Sequence, residues 1–328
     1  MKFWYTARKK YSIHFVLVFL FIFCTFANPN FLSVNNMTNI STQLAVTTIL
    51  AFGATMLIIS GMLDLSAGSV LALSGVFAVS VYKSTGSMIL AILAGILTGV
   101  VCNVINAVMI STFKTPPFIA TLAMMAVARG VALYFTQGQN ILQLGDFVKI
   151  GQGTLGIIPI PVIFLIAFGI LTWYLLNHTR FGRSLYAVGG NEEAAVASGI
   201  NVHKIKYTAF IINGIFVGIA GVLFMARVNA GLPNGAINYE FTALTASIVG
   251  GTSFSGGIGT AGGTLVGAFI VGFLDNIMNL NGVNSYLQQI IRGGIIALAV
   301  IYDIRTKGRR TKQILGNSEK KNEQKQTN

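Results

Sequence analysis

A chain that crosses a bilayer by helices needs stretches of roughly 20 mostly apolar residues, each satisfying its own backbone hydrogen bonds. This sequence is built from such stretches. Ten are read, at 13–31, 43–63, 66–82, 88–111, 117–136, 158–177, 207–228, 241–260, 264–281 and 285–303. Only 9% of the residues are charged, against about 25% in soluble domains. These features exclude a soluble fold. They predict an all-α, polytopic membrane helical bundle of about ten transmembrane helices. Two runs are weak: 66–82 is short, and 241–260 dissolves into a glycine-rich stretch from Gly250 to Gly257.

The net charge of +13 is explained by topology. With the N-terminus inside, ten spans place seventeen of the 22 Lys and Arg on the cytoplasmic side. Lys83, Lys149 and Arg227 lie outside, and Arg129 and Arg292 lie within spans. This is the positive-inside pattern, and it requires no nucleic-acid partner. It divides the chain into a basic cytoplasmic N-terminus 1–12, a membrane domain 13–304 with a cytoplasmic loop 178–206, and a basic cytoplasmic tail 305–328 of disordered composition. The expected location is the bacterial cytoplasmic (inner) membrane, multi-pass, with both termini cytoplasmic. The first run follows Lys2, Arg8, Lys9 and Lys10 as a signal peptide would, but Ala27-Asn28-Pro29-Asn30 is a poor cleavage site. It is read as a retained span. Spans two to five and seven to ten flank the central loop as two halves that an odd number of crossings would invert, although no repeat is visible by residue identity.

Enzymatic chemistry has no foothold in the pattern. The glycine-rich run 250–263 lacks the lysine of a phosphate-binding loop, since no Lys lies between Lys206 and Lys307. No zinc-hydrolase or nucleophile-elbow motif is present. His14, His178 and His203 are scattered, and Cys24 and Cys102 sit in apolar runs as small core residues. No metal and no cofactor is expected. Ionisable groups inside a membrane face protein or water. Asp64, between the second and third spans, is expected to cap the third helix or to serve gating. Arg129 and Arg292 are expected to pair with acids or carbonyls. Asp275, Asn276 and Asn279 share one helical face, which suits either a polar solute path or hydrogen bonding between helices.

The central loop is the most distinctive segment. Asn191 can cap a short helix whose first residues, Glu192 and Glu193, favour its positive end. Ala194, Ala195, Val196 and Ala197 supply helix propensity and a small apolar face. Gly199 stops the helix, and Ile200 can pack back on it. Such a helix docks in a partner's groove or simply connects two spans.

Four segments carry a resemblance: Tyr186–Lys206, Gly61–Gly75, Tyr239–Gly257 and Gly272–Gln289. Together they resemble the ribose-type, binding-protein-dependent ABC importer permeases across residues 40–304. Met62-Leu63 departs from the family pattern before Asp64. The resemblance implies a permease subunit that pairs with a second permease chain and sits on ABC ATPase subunits. An extracytoplasmic solute-binding protein would deliver a monosaccharide. It further implies that Gly189, Gly190, Asn191, Glu192, Glu193, Ala194, Ala195, Ser198, Gly199 and Ile200 form the coupling segment that meets the ATPase. Asp64, Asp275, Asn276 and Asn279 are the candidates for the substrate path. The rival readings are a permease of the same superfamily for branched-chain amino acids or nucleosides, a self-contained secondary transporter and a membrane enzyme.

Overall fold

A computed structural model describes residues 12–301, 303 and 305. The rest of the basic N-terminus and tail lie outside the described residues. The chain forms α1 (Ser12–Ala27), α2 (Val34–Ile59), α3 (Ala67–Thr85), α4 (Met88–Ala107), α5 (Pro117–Thr136), α6 (Ile160–His178), α7 (Arg180–Gly190), α8 (Glu192–Ala197), α9 (Val202–Val228), α10 (Tyr239–Val249) and α11 (Ala261–Leu280). The last described helix is α12 (Ser285–Ile301). A π-helical turn, Val108–Thr112, extends α4. The only strands among the described residues are β1 (Thr154–Leu155) and β2 (Ile158–Pro159), a small antiparallel hairpin.

Local chemistry sets the helix ends. Ser33, Ser87 and Thr260 cap α2, α4 and α11 by accepting from the backbone three residues on. Pro117 opens α5, where its missing N–H costs nothing. Gly61 (φ 78°) ends α2 in the left-handed conformation. Among the described residues, seven helices are long and apolar enough to cross a membrane: α2, α3, α4 with its π turn, α5, α6, α9 and α11. α1 and α12 are shorter. The expected span 241–260 is corrected: α10 has eleven residues and stops at Gly250, so it is about 16 Å long, half a hydrocarbon core.

Contacts at the tips assign each pass to one of two ends. At the first end, Ser111 meets His203 and Thr112 meets Tyr207. Gly257 N–H donates to Ile59 O there, and Asp303 accepts from Ser253. At the opposite end, Asn28 donates to Leu280 O, Lys83 to Leu142 O and Gln152 to Arg227 O. The third and eighth passes are both broken. The segment 60–66 turns back inward from the first end before α3 begins. The segment 229–238 turns inward from the opposite end before α10 begins. The two restarting helices meet inside the bundle, where Gly68 of α3 lies against Glu240 and Ala236. α2 through α5 and α9 through α12 thus flank the loop that carries α7 and α8.

The core is held by small residues. Gly95 and Gly99 of α4 lie backbone to backbone against Gly218 and Gly214 of α9, and Gly75 of α3 lies against the Gly221 carbonyl. Lipid gives helices no hydrophobic reason to associate, so this close approach supplies the packing. α1 attaches through an aromatic group, Phe21, Phe31 and Phe273, with ring centroids 5.7–5.8 Å apart.

Candidate functional site

The central loop holds two helices where one was expected. α7 is capped by Thr179, which accepts from Gly182 N–H at 3.0 Å. α8 has the expected caps: Asn191 Oδ1 accepts from Ala194 N–H at 2.9 Å. At its other end Gly199 (φ 79°) closes a Schellman turn, with Ile200 N–H donating to Ala195 O at 3.0 Å. Glu192 pairs with Lys206 at 2.9 Å, tying α8 to the base of α9. One expectation is corrected. Ala195 does not belong to an outward small-residue face; it is 3% exposed and packs with Val188 and Val202. Ala194 and Ala197 are exposed, and Val196 is 58% exposed. A cleft of about 1110 Å³ opens beside α8, lined by Met62, Lys114, Asn191, Val196, His203 and Lys206 among others.

α7 is also the joint between this loop and the bundle. A Cβ on Gly189 would strike the Ile59 carbonyl at the end of α2, whereas a Cβ on Gly190 would meet nothing. Gly256 (φ 79°), in the turn after α10, lies against the Gly189 carbonyl. Tyr186 donates to Gly259 O at 2.7 Å. Burial pushes its phenol pKa up, which keeps the donor proton on. One turn of α7 therefore touches the chain just before the first break and just after α10.

The first break is held by a buried carboxylate. Asp64, 3% exposed, accepts from Ser66 N–H at 2.8 Å and from the Ser66 hydroxyl at 2.5 Å through Oδ1. Its Oδ2 accepts from Asn213 of α9 at 2.8 Å. Asn213 also donates to Asn103 of α4, and Asn106 donates to Ser66. Asp64 is thus not the helix cap, which is Ser66. It closes an Asx turn two residues earlier and bolts the break to α4 and α9.

The second break is held by a cation. Arg129 of α5 donates to Pro233 O at 2.6 Å and to Gly235 O at 2.8 Å. Asn229, Ala236 and Asn238 adopt positive φ along the turn. Between α5, α10 and α12 runs an apolar groove of about 650 Å³. Leu65, Phe118, Leu122, Phe241 and Ile296 are among its lining residues, and its polar ones are Ser69, Arg129, Asn238 and Glu240. Arg129 was expected to find acids or carbonyls, but the groove itself was not read. The sequence signal is an acid, Glu240, two residues beyond the turn residues Pro233, Gly235 and Asn238 in an otherwise apolar stretch.

The three polar residues of α11 lie elsewhere. Asp275 pairs with Arg292 of α12 at 3.0 Å. Asn276 and Asn36 of α2 exchange amide bonds at 2.8 and 3.1 Å. Asn279 accepts from Gln288 at 2.8 Å. Asp275 and Asn276 line a cavity of about 20 Å³. No group of three or more metal-ligating side chains occurs among the described residues.

Residues 36–300 match the protein family described as branched-chain amino acid transport system / permease component. The chain is 39% identical over 309 residues to a ribose import permease protein of Escherichia coli K12, covering 92% of this chain and 95% of the relative. It is 40% identical over 290 residues to that of Bacillus subtilis 168, covering 88% and 90%. An L-arabinose ABC transporter permease protein of Azospirillum brasilense is 36% identical over 293 residues, covering 88% and 86%. No solved structure matches the chain.

Proposed function

Because the chain belongs to the family of branched-chain amino acid transport system / permease components, we propose that it is the membrane subunit of an ABC importer for a monosaccharide of the ribose type. The named substrates of its relatives, ribose and L-arabinose, favour a sugar over a branched-chain amino acid. The chain supplies the pathway, a separate ABC ATPase subunit supplies the energy, and an extracytoplasmic solute-binding protein supplies the sugar. The end bearing α7 and α8 is cytoplasmic, because Lys114, Arg180, Arg183, Lys204 and Lys206 gather there.

The single observation that carries the mechanism is the joint at Gly189. α8 presents Ala194, Val196 and Ala197 outward to the ATPase. Displacement of α8 carries α7 with it through the Ala195 cluster. At Gly189, α7 meets both the Ile59 carbonyl and the turn at Gly256. A movement at the ATPase contact therefore reaches the first break directly and the second only through the length of α10. The groove between α5, α10 and α12 is open on one side, so a second permease chain closes it into a path. Asp64, Asp275, Asn276 and Asn279 hold the walls in this reading, since each already has its partner inside the bundle.

The test is co-purification of the ATPase subunit together with sugar uptake. Ala197→Arg should leave the chain folded but release the ATPase and stop uptake. Normal recovery of the ATPase together with normal uptake would contradict the assignment of α8.

A further inference from the structure

The two charged residues of the groove stand apart from the other charges inside the bundle. Asp64 is closed off by Ser66 and Asn213, Asp275 by Arg292, and Asp303 by Ser253 and the Phe254 N–H. Arg129 and Glu240 feel each other electrostatically. Yet the ion pairs formed among the described residues are Lys149–Asp146, Lys206–Glu192 and Arg292–Asp275. Each charge costs about 2.5–3.5 kcal/mol to hold at membrane depth. Arg129 meets part of this through two carbonyls and Glu240 through the backbone N–H groups of Glu240 and Asn238, which leaves further donors on the guanidinium and further lone pairs on the carboxylate.

We propose that Arg129 and Glu240 contact the solute in transit and select a neutral, hydroxyl-rich molecule. This deepens the sugar-importer reading and rests on it. Arg129 offers only donors and Glu240 only acceptors, while a sugar hydroxyl does both. Ser69 and Asn238 in the same groove can do either. Phe118, Phe241 and Phe254 give flat apolar surfaces to the C–H faces of a ring. The pair carries no net charge, so it neither draws in nor repels ions of one sign. The contact is also weak enough to release, because Arg129 already gives two bonds to Pro233 and Gly235.

The experiment uses the complete importer in proteoliposomes, supplied with labelled ribose, arabinose or allose, and with labelled leucine as the contrasting solute. Glu240→Gln keeps the shape and removes the anion, and Arg129→Lys keeps the charge and removes the fork. Each should lower maximal sugar uptake about ten-fold, the value of one hydrogen bond to a charged group. Half-saturation should stay within about two-fold, since an effect after capture moves the maximal rate rather than apparent affinity. ATP hydrolysis by the partner should persist. Unchanged uptake in both variants would overturn the proposal. So would parallel losses of uptake, ATP hydrolysis and thermal stability, which mark a structural role. Should either variant fail to assemble, Ala126→Cys on the groove wall decides. Transported sugar should slow its reaction with a water-soluble thiol reagent during turnover, and an unslowed reaction would overturn the contact. Uptake of leucine but of no sugar by the unaltered importer would overturn the sugar reading itself.

Discussion

The two breaks in the bundle solve one structural problem with opposite charges. At 60–66 an anion, Asp64, gathers donors from the loop and α9. At 229–238 a cation, Arg129, gathers two carbonyls of the loop. In both cases unwound backbone inside a membrane is satisfied by protein rather than lipid, as it must be. The difference lies in what each leaves over. The Asp64 network is buried and its carboxylate is used up. The Arg129 site faces the groove, with Glu240 beside it. The first break is therefore a fixed support, and the second is the one that borders the groove.

Asp64→Ala should have the largest effect on the folded state. It strands Asn213 and two Ser66 donors, a loss of about 3 kcal/mol or more. Yield and thermal unfolding in detergent measure it. Arg129→Lys should cost only about 1 kcal/mol, since an ammonium still reaches one carbonyl. If the second change proves the more destabilising, the assignment of support and path is reversed.

Gly189→Ala should come next, because it forces α7 away from the Ile59 carbonyl and the Gly256 turn. Uptake should fall at least about ten-fold while the ATPase stays bound, since backbone atoms cannot yield as a flexible side chain can. Gly190→Ala, one residue on, meets open space and should leave uptake intact. Equal behaviour of the two variants would remove the joint between the central loop and the bundle.

The smallest effect belongs to α11. Asn276→Leu with Asn279→Leu removes hydrogen bonds between helices, worth about 0.6 kcal/mol each on average in membranes. A modest drop in unfolding temperature with uptake within about two-fold is expected. A large loss of uptake with unchanged stability would instead place these amides on the path.

Much of this was legible in the residues. The apolar runs located the long helices, and Asn191 and Gly199 marked both ends of α8 by their capping chemistry. The rest depended on contacts far apart in sequence. The glycine-rich stretch from Gly250 marks where α10 stops, but the residues after it stay free of charge, so nothing in the pattern forbids a full crossing. α8 is too short and too uniformly small for periodicity to show that Ala195 faces inward. The Arg129 bonds reach across more than one hundred residues to carbonyls that no side-chain pattern announces. Gly189 and Gly190 are identical in sequence and opposite in surroundings.

The central claim is that this chain moves a sugar only when an ATPase drives it through α8. The most direct measurement is labelled ribose uptake into proteoliposomes holding the chain, its co-purified ATPase subunit and its solute-binding protein. Uptake should require ATP and all three components, and should be lost with Ala197→Arg while the chain remains in the membrane. Uptake by the chain alone, driven by an ion gradient without ATP, would contradict it and identify a self-contained secondary transporter.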